Sequence, residues 1–133
     1  MRLKTAALLA AALVASACAS TPPPPVAGEG FVKMKGEEIR AALIGNSLDG
    51  EDKNGEYVIH YPNASTMRIF YQGREDDGVW RIDGDKYCRK WNTFGKGRER
   101  CVNFWRNGDA INWVRKGKVT DRSVLIPGNP EDL

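Results

Sequence analysis

Between Trp80 and Arg106 the chain reads WRIDGDKYCRKWNTFGKGRERCVNFWR, with apolar and polar residues alternating in short runs broken by glycine. Successive side chains of a strand point to opposite faces, so this pattern predicts strand, tight turn, strand, loop, strand. Val79, Trp80 and Ile82 run into Asp83-Gly84-Asp85, a turn signal. Lys86 to Trp91 is the next strand, and Arg100 to Arg106 returns after a loop around Phe94-Gly95. Cys88 and Cys101 stand almost equally far from that loop and fall opposite each other if it closes a regular hairpin. Cross-strand Cβ atoms are roughly 4.5–5.5 Å apart, close to what a disulfide needs. With both cysteines on one face, Lys90, Asn103 and Trp105 join them. Tyr87, Arg89, Trp91, Val102 and Phe104 take the other, mostly apolar face, which is the expected core.

The same alternation extends to both sides. Glu56 to Tyr61, Thr66 to Gln72 and Gly78 to Asp83 are candidate strands, separated by Pro62 to Ser65 and by Gly73 to Asp77. Asn107-Gly108-Asp109 carries the Asn-Gly hairpin signal; Ala110 to Arg115 follows, then a turn at Gly117 and a last strand from Val119 to Ile126. Only Gly36 to Asn46 has helical spacing, with Ile39, Ala42 and Leu43 on one face and Gly45 as the stop. So short a helix must dock on something to persist. The expected fold is all-β with one short N-terminal helix. It is a small antiparallel meander of about seven or eight strands, rolled into a barrel or half-barrel that removes exposed edges. The helix would cover one mouth.

The N-terminus changes the picture. Met1-Arg2-Leu3-Lys4, an apolar stretch from Ala6 to Val14, and Ala15-Ser16-Ala17 form a secretory signal, too short for a transmembrane helix. Val14-Ala15-Ser16-Ala17-Cys18 resembles a bacterial lipobox, with Ala15 where leucine is usual; ordinary cleavage after the A-x-A site is the competing outcome. The chain has 3 cysteines, and lipidation of Cys18 leaves Cys88 and Cys101 as a pair. A proline-rich spacer from Ser20 to Pro25 follows directly. The expected organisation is signal peptide at 1–17, lipid-anchored tether at 18–30 and a barrel-like domain at 31–133. That places the protein in the cell envelope of a bacterium, on the outer membrane facing the periplasm, or soluble in the periplasm if Cys18 is not lipidated.

Charge then narrows the chemistry. The formal charge of +3 falls to +1 once Arg2 and Lys4 leave with the signal, which removes the case for nucleic-acid binding. Residues 28–79 carry 6 basic and 10 acidic side chains, and residues 80–122 carry 12 basic and 5 acidic, so the halves stand at −4 and +7. In an envelope, the polyanions that fit a basic, tryptophan-rich surface are anionic glycan, lipopolysaccharide and lipid. Lys90, Arg100, Trp105 and Arg106 are the candidate ligand-binding residues, with Trp105 expected on the outer face. A solvated basic face over a tryptophan-rich core is the competing reading.

No catalytic residues, cofactor or metal are expected. His60, the only histidine, reads as a strand residue at a barrel surface or rim, and no serine occupies a nucleophile elbow. Asp49 to Gly55 has oxygen ligands without the calcium-loop spacing and reads as a polar loop; Glu75-Asp76-Asp77 reads as a solvated turn.

Gly45-Asn46-Ser47-x-x-Gly50, Gly78-x-Trp80-x-x-x-Gly84-x-x-x-Cys88-x-x-Trp91 and Cys101 together resemble small exported proteobacterial proteins of unknown function. The resemblance spans residues 36–129 and implies a lipocalin-like or avidin-like β-domain. It supplies scaffold positions and no active site. The resulting expectation is a non-enzymatic envelope lipoprotein that binds a ligand or partner through its β-domain; the alternative is a structural or accessory head with no ligand, and an enzyme of unrecognised type ranks last.

Overall fold

The computed structural model describes residues 25–133, so Cys18 and the signal-like stretch lie outside the described residues. The elements in order are β1 (Val32–Lys33), α1 (Gly36–Leu43), β2 (Ser47–Asp52), β3 (Gly55–His60), β4 (Thr66–Tyr71) and β5 (Arg74–Asp83). They continue with β6 (Lys86–Trp91), a 3-10 turn (Phe94–Gly97), β7 (Arg100–Asn107), β8 (Ala110–Arg115) and β9 (Lys118–Ile126). From β2 to β9 each strand pairs antiparallel with the next, and β9 returns to β2, so eight strands close into a barrel. β1 adds to the final part of β7, with Val32 opposite Arg106 and Lys33 opposite Trp105. The barrel reading and the single helix are therefore correct.

The hairpin register is the expected one. Tyr87 faces Val102, Cys88 faces Cys101 and Arg89 faces Arg100. The two sulfurs lie 2.04 Å apart, at bonding distance, on the outer face. The Arg81–Glu99 ion pair, at 2.7 Å, lies beside them, with the Glu99 carboxylate within 4.8 Å of both sulfurs.

Inward side chains build the core. Trp113, Tyr61, Tyr87, Phe104, Ile39, Leu43, Leu48 and Ile59 are all but fully buried. Each aliphatic one contributes on the order of 1.5–3 kcal/mol by leaving water. Helix α1 supplies Ile39 and Leu43 to this cluster and so closes one end of the barrel. Its first turn is fixed by the β5–β6 turn, where the Asp85 carboxylate accepts from the Gly36 backbone N–H at 3.0 Å.

Four segments differ from expectation. Asp49 to Asp52, read as a polar loop, belongs to β2. The apolar alternation is masked there because one inward position is Gly50, where a Cβ would stand 2.9 Å from the Tyr57 hydroxyl and 2.8 Å from the Ser123 Cβ. The acids alternate faces, Asp49 outward and Asp52 inward, and do not converge on a metal. Glu75 to Asp77, read as a solvated turn, lies within β5; the turn itself is Gln72-Gly73, with φ of 53° and 72°. That left-handed geometry suits a two-residue hairpin. Strand β1 was not anticipated. The end of the expected tether also packs on the barrel: Ala27 is buried, and its carbonyl accepts from Asn112 Nδ2 at 3.1 Å.

Candidate ligand-binding site

The end of the barrel away from α1 stays open, because the hairpins that reach it are short and bring no covering helix. Around it stand the β2–β3, β4–β5 and β8–β9 turns and the longer β6–β7 loop. Within lies a cavity of about 670 Å³, in the range of small-molecule sites. Aromatic side chains form its walls: Tyr57, Tyr71, Trp91, Phe94 and Trp113. Tyr57 stands 5.8 Å from Trp113 between ring centroids, and Tyr71 meets Phe94 edge-on at 5.4 Å.

The β6–β7 loop brings Phe94 over the mouth. Asp76, inside β5, holds it there: one carboxylate oxygen accepts from the Thr93 N–H at 2.8 Å and the Phe94 N–H at 3.0 Å. Arg74 stacks on the Phe94 ring at 5.1 Å.

Charge in the cavity is one-sided. Lys53, Arg89, Arg98, Arg100, Arg115 and Lys118 line it, against Asp52 and Asp121. Arg89 lies directly across from Arg100, and Arg115 directly across from Lys118. Like charges opposite each other in a sheet are destabilising. Among the described residues the ion pairs are Arg68–Asp77, Arg81–Glu99 and Arg106–Asp109, so no carboxylate neutralises any of these six cations within 4.0 Å.

Arg89 is the cation set deepest. It projects inward from β6, is half-buried, and lies over the Trp113 ring at 5.0 Å. Stacking uses the guanidinium face and leaves its in-plane N–H groups free to donate. Opposite, Asp121 is buried and accepts from the Tyr57 hydroxyl at 2.8 Å and the Thr120 hydroxyl at 2.7 Å. Its neighbour Thr120 is the extra residue of a β-bulge, since Trp113 pairs with Asp121 but Val114 with Val119. Burial raises the Asp121 carboxyl above the usual range, with the Thr120 and Tyr57 hydroxyls and the Arg89 charge pulling it back. Burial and the Asp121 charge raise Tyr57 far above the ordinary phenol value, while burial and a bond to Asp52 push Tyr71 up to about 12. These phenols are therefore neutral donors at physiological pH.

The residues singled out from sequence do not form one surface. Lys90 and Trp105 are on the outer wall, and Trp105 is half-buried between Lys33 and Asn112 rather than exposed. Arg106 faces the closed end, where its Nε donates to the Gly108 carbonyl at 2.7 Å. Only Arg100 lines the cavity. Arg89, Arg115 and Asp121 went unrecognised as site residues, although period-2 counting already put Arg89 on the core face, an unusual place for a charge.

His60 is buried rather than at the surface. Its Nδ1 lies 3.1 Å from Ser47 Oγ, which donates to the Gly128 carbonyl at 2.7 Å. With the hydroxyl proton so committed, Nδ1–H is the donor to Ser47, and the pair fastens the C-terminal segment to the wall.

Fold and site thus define a class: a closed eight-stranded antiparallel barrel, plugged by a helix at one end and lined with aromatics and unpaired cations at the other. Comparison of the chain with known protein families, curated proteins and solved structures found no match.

Proposed function

We propose that this protein is a non-enzymatic envelope lipoprotein, anchored through Cys18, whose barrel binds a small anionic ligand in its open mouth. The supporting observation is the pair of directly opposed like-charge contacts, Arg89/Arg100 and Arg115/Lys118, around a cavity with aromatic walls. Folding alone gains nothing from such pairs; an anion between them converts repulsion into charge-assisted hydrogen bonds. The basic half found in the sequence is then partly a cavity lining, and a small anionic component of the envelope fits it better than an extended polymer lying on the outer wall.

Titration with 8-anilinonaphthalene-1-sulfonate, a flat anionic probe, tests the binding reading. One molecule should bind per barrel, quench tryptophan emission and weaken as salt shortens the Debye length to about 8 Å. Arg100→Gln should weaken binding, whereas Lys90→Gln and Arg106→Gln should leave it unchanged. Salt-insensitive binding, or equal losses in all three variants, would remove the mouth as the site. Mass spectrometry of the mature chain tests the anchor: an unmodified N-terminus at Cys18 or Ser20 contradicts lipidation.

A further inference from the structure

The floor and the rim of the cavity ask for different things. At the rim stand exposed Arg98, Arg100, Arg115 and Lys118, suited to an anionic substituent. At the floor a free guanidinium, Arg89, shares the space with a carboxylate, Asp121, and the two make no ion pair within 4.0 Å. A carboxylate or phosphate pushed to the floor would meet Asp121, and a cation would meet Arg89. An alkyl tail would leave the Arg89 N–H groups without an acceptor and shut the Asp121 charge off from water with only the Tyr57 and Thr120 hydroxyls for partners, a costly arrangement for charged groups. A neutral group presenting an acceptor beside a donor satisfies both: its carbonyl accepts from Arg89, and its N–H donates to the lone pairs that Tyr57 and Thr120 leave open on Asp121. Between floor and rim the walls are the faces and edges of Tyr57, Trp91 and Trp113, which favour a flat body.

We infer that the cavity recognises a planar heterocycle with an amide-type edge and an anionic substituent, the edge seated on Arg89 and Asp121 and the anion held at the rim. This deepens the anion-binding reading and rests on it. The class is represented by uridine 5′-monophosphate, whose base offers a carbonyl beside an N–H and whose phosphate supplies the anion. A cavity of about 670 Å³ is large enough for a molecule of that size.

Calorimetric titration of the full chain at low salt, with four probes, separates the two readings before any variant is made. Uridine 5′-monophosphate should bind most tightly. Its N3-methyl derivative, which lacks the donor for Asp121, should bind about tenfold more weakly or worse. Phenyl phosphate, flat and anionic but without the edge, should be similarly weak, and laurate weaker still. Asp121→Asn, which loses the charge and one acceptor oxygen, should narrow the difference between the first two probes; near-ultraviolet circular dichroism reports whether that variant is folded, and the wild-type ratio stands if it is not. Equal affinity for the N3-methyl derivative or phenyl phosphate overturns the edge recognition and leaves the anion site intact. Tighter binding of laurate overturns it in favour of a lipid tail. Binding of none of the four overturns both readings.

Discussion

The two ends of this barrel use the same strands in opposite ways. At the closed end every polar group that enters the core finds a partner. The Tyr61 and Tyr87 hydroxyls bond each other at 2.8 Å, Trp80 Nε1 donates to the Asn63 and Thr66 carbonyls at 3.1 Å each, and Asp85 caps α1. At the open end, like charges face each other and a guanidinium without an ion-pair partner lies over Trp113. No buried side-chain nitrogen or oxygen among the described residues lacks a partner, so the open-end cations are left in contact with the cavity rather than sealed inside. Local departures from the rules that stabilise a fold are expected at functional or strained sites.

The sharpest way to break that contrast is to disturb the closed end. Leu43, on α1, is fully buried in the core cluster. Leu43→Ala should cost about 2–5 kcal/mol in denaturant unfolding. Its anion affinity, measured where the domain remains folded, should hold within a few-fold. Loss of binding in the folded protein would show that the two ends are not separate.

Next in size is the cystine, which staples β6 to β7 between the two ends. Replacing Cys88 and Cys101 by serine should cost about 3 kcal/mol in the chain-entropy account of a loop this long. Free-thiol titration of unfolded, unreduced protein should find neither cysteine; finding both free would remove the staple.

The converse experiment sits at the open end. Arg89→Gln with Arg100→Gln should leave the unfolding midpoint unchanged or raise it, because it removes a like-charge pair, yet weaken anion binding at least tenfold. A lowered midpoint with binding retained would make these arginines structural.

The smallest effect is the acid response of Asp121. Because burial raises its folded value, protonation favours the folded state. Its contribution to stability is fully present below the unfolded aspartate value of about 3.9 and is lost as pH rises through the higher folded value. Asp121→Asn should lack that gain on acidification, and unfolding curves collected between neutral and acid pH would detect the difference. Identical pH profiles would place Asp121 in ordinary solvent.

Much of the scaffold was legible because its physics is local. Alternation put Tyr87, Val102 and Phe104 inside, and the Cys88–Cys101 register followed from counting residues around one loop. Turn residues marked most hairpins. Strand β2 was illegible because Gly50 and Asp52 occupy its inward positions and only Leu48 is a large apolar residue there. The site was harder still. Which of Arg100 and Arg106, toward opposite ends of one strand, meets the open cavity depends on which end of the barrel is plugged, and that is decided by α1 docking from far away in the chain. Asp121 was hidden by a bulge, which shifts register without leaving a glycine or proline to announce it. Asp76 looked like one acid among three, although its bonds to Thr93 and Phe94 shape the rim.

The 4 tryptophans offer the most direct measurement, since the fold distributes them among distinct environments. Trp91 and Trp113 line the cavity, Trp80 is bonded away from it, and Trp105 lies on the outer wall. Indole ¹H–¹⁵N signals recorded during titration with 8-anilinonaphthalene-1-sulfonate should shift for Trp91 and Trp113, while those of Trp80 and Trp105 stay in place. A shift at Trp105 with Trp113 unmoved would put the binding surface on the outer wall and contradict the account.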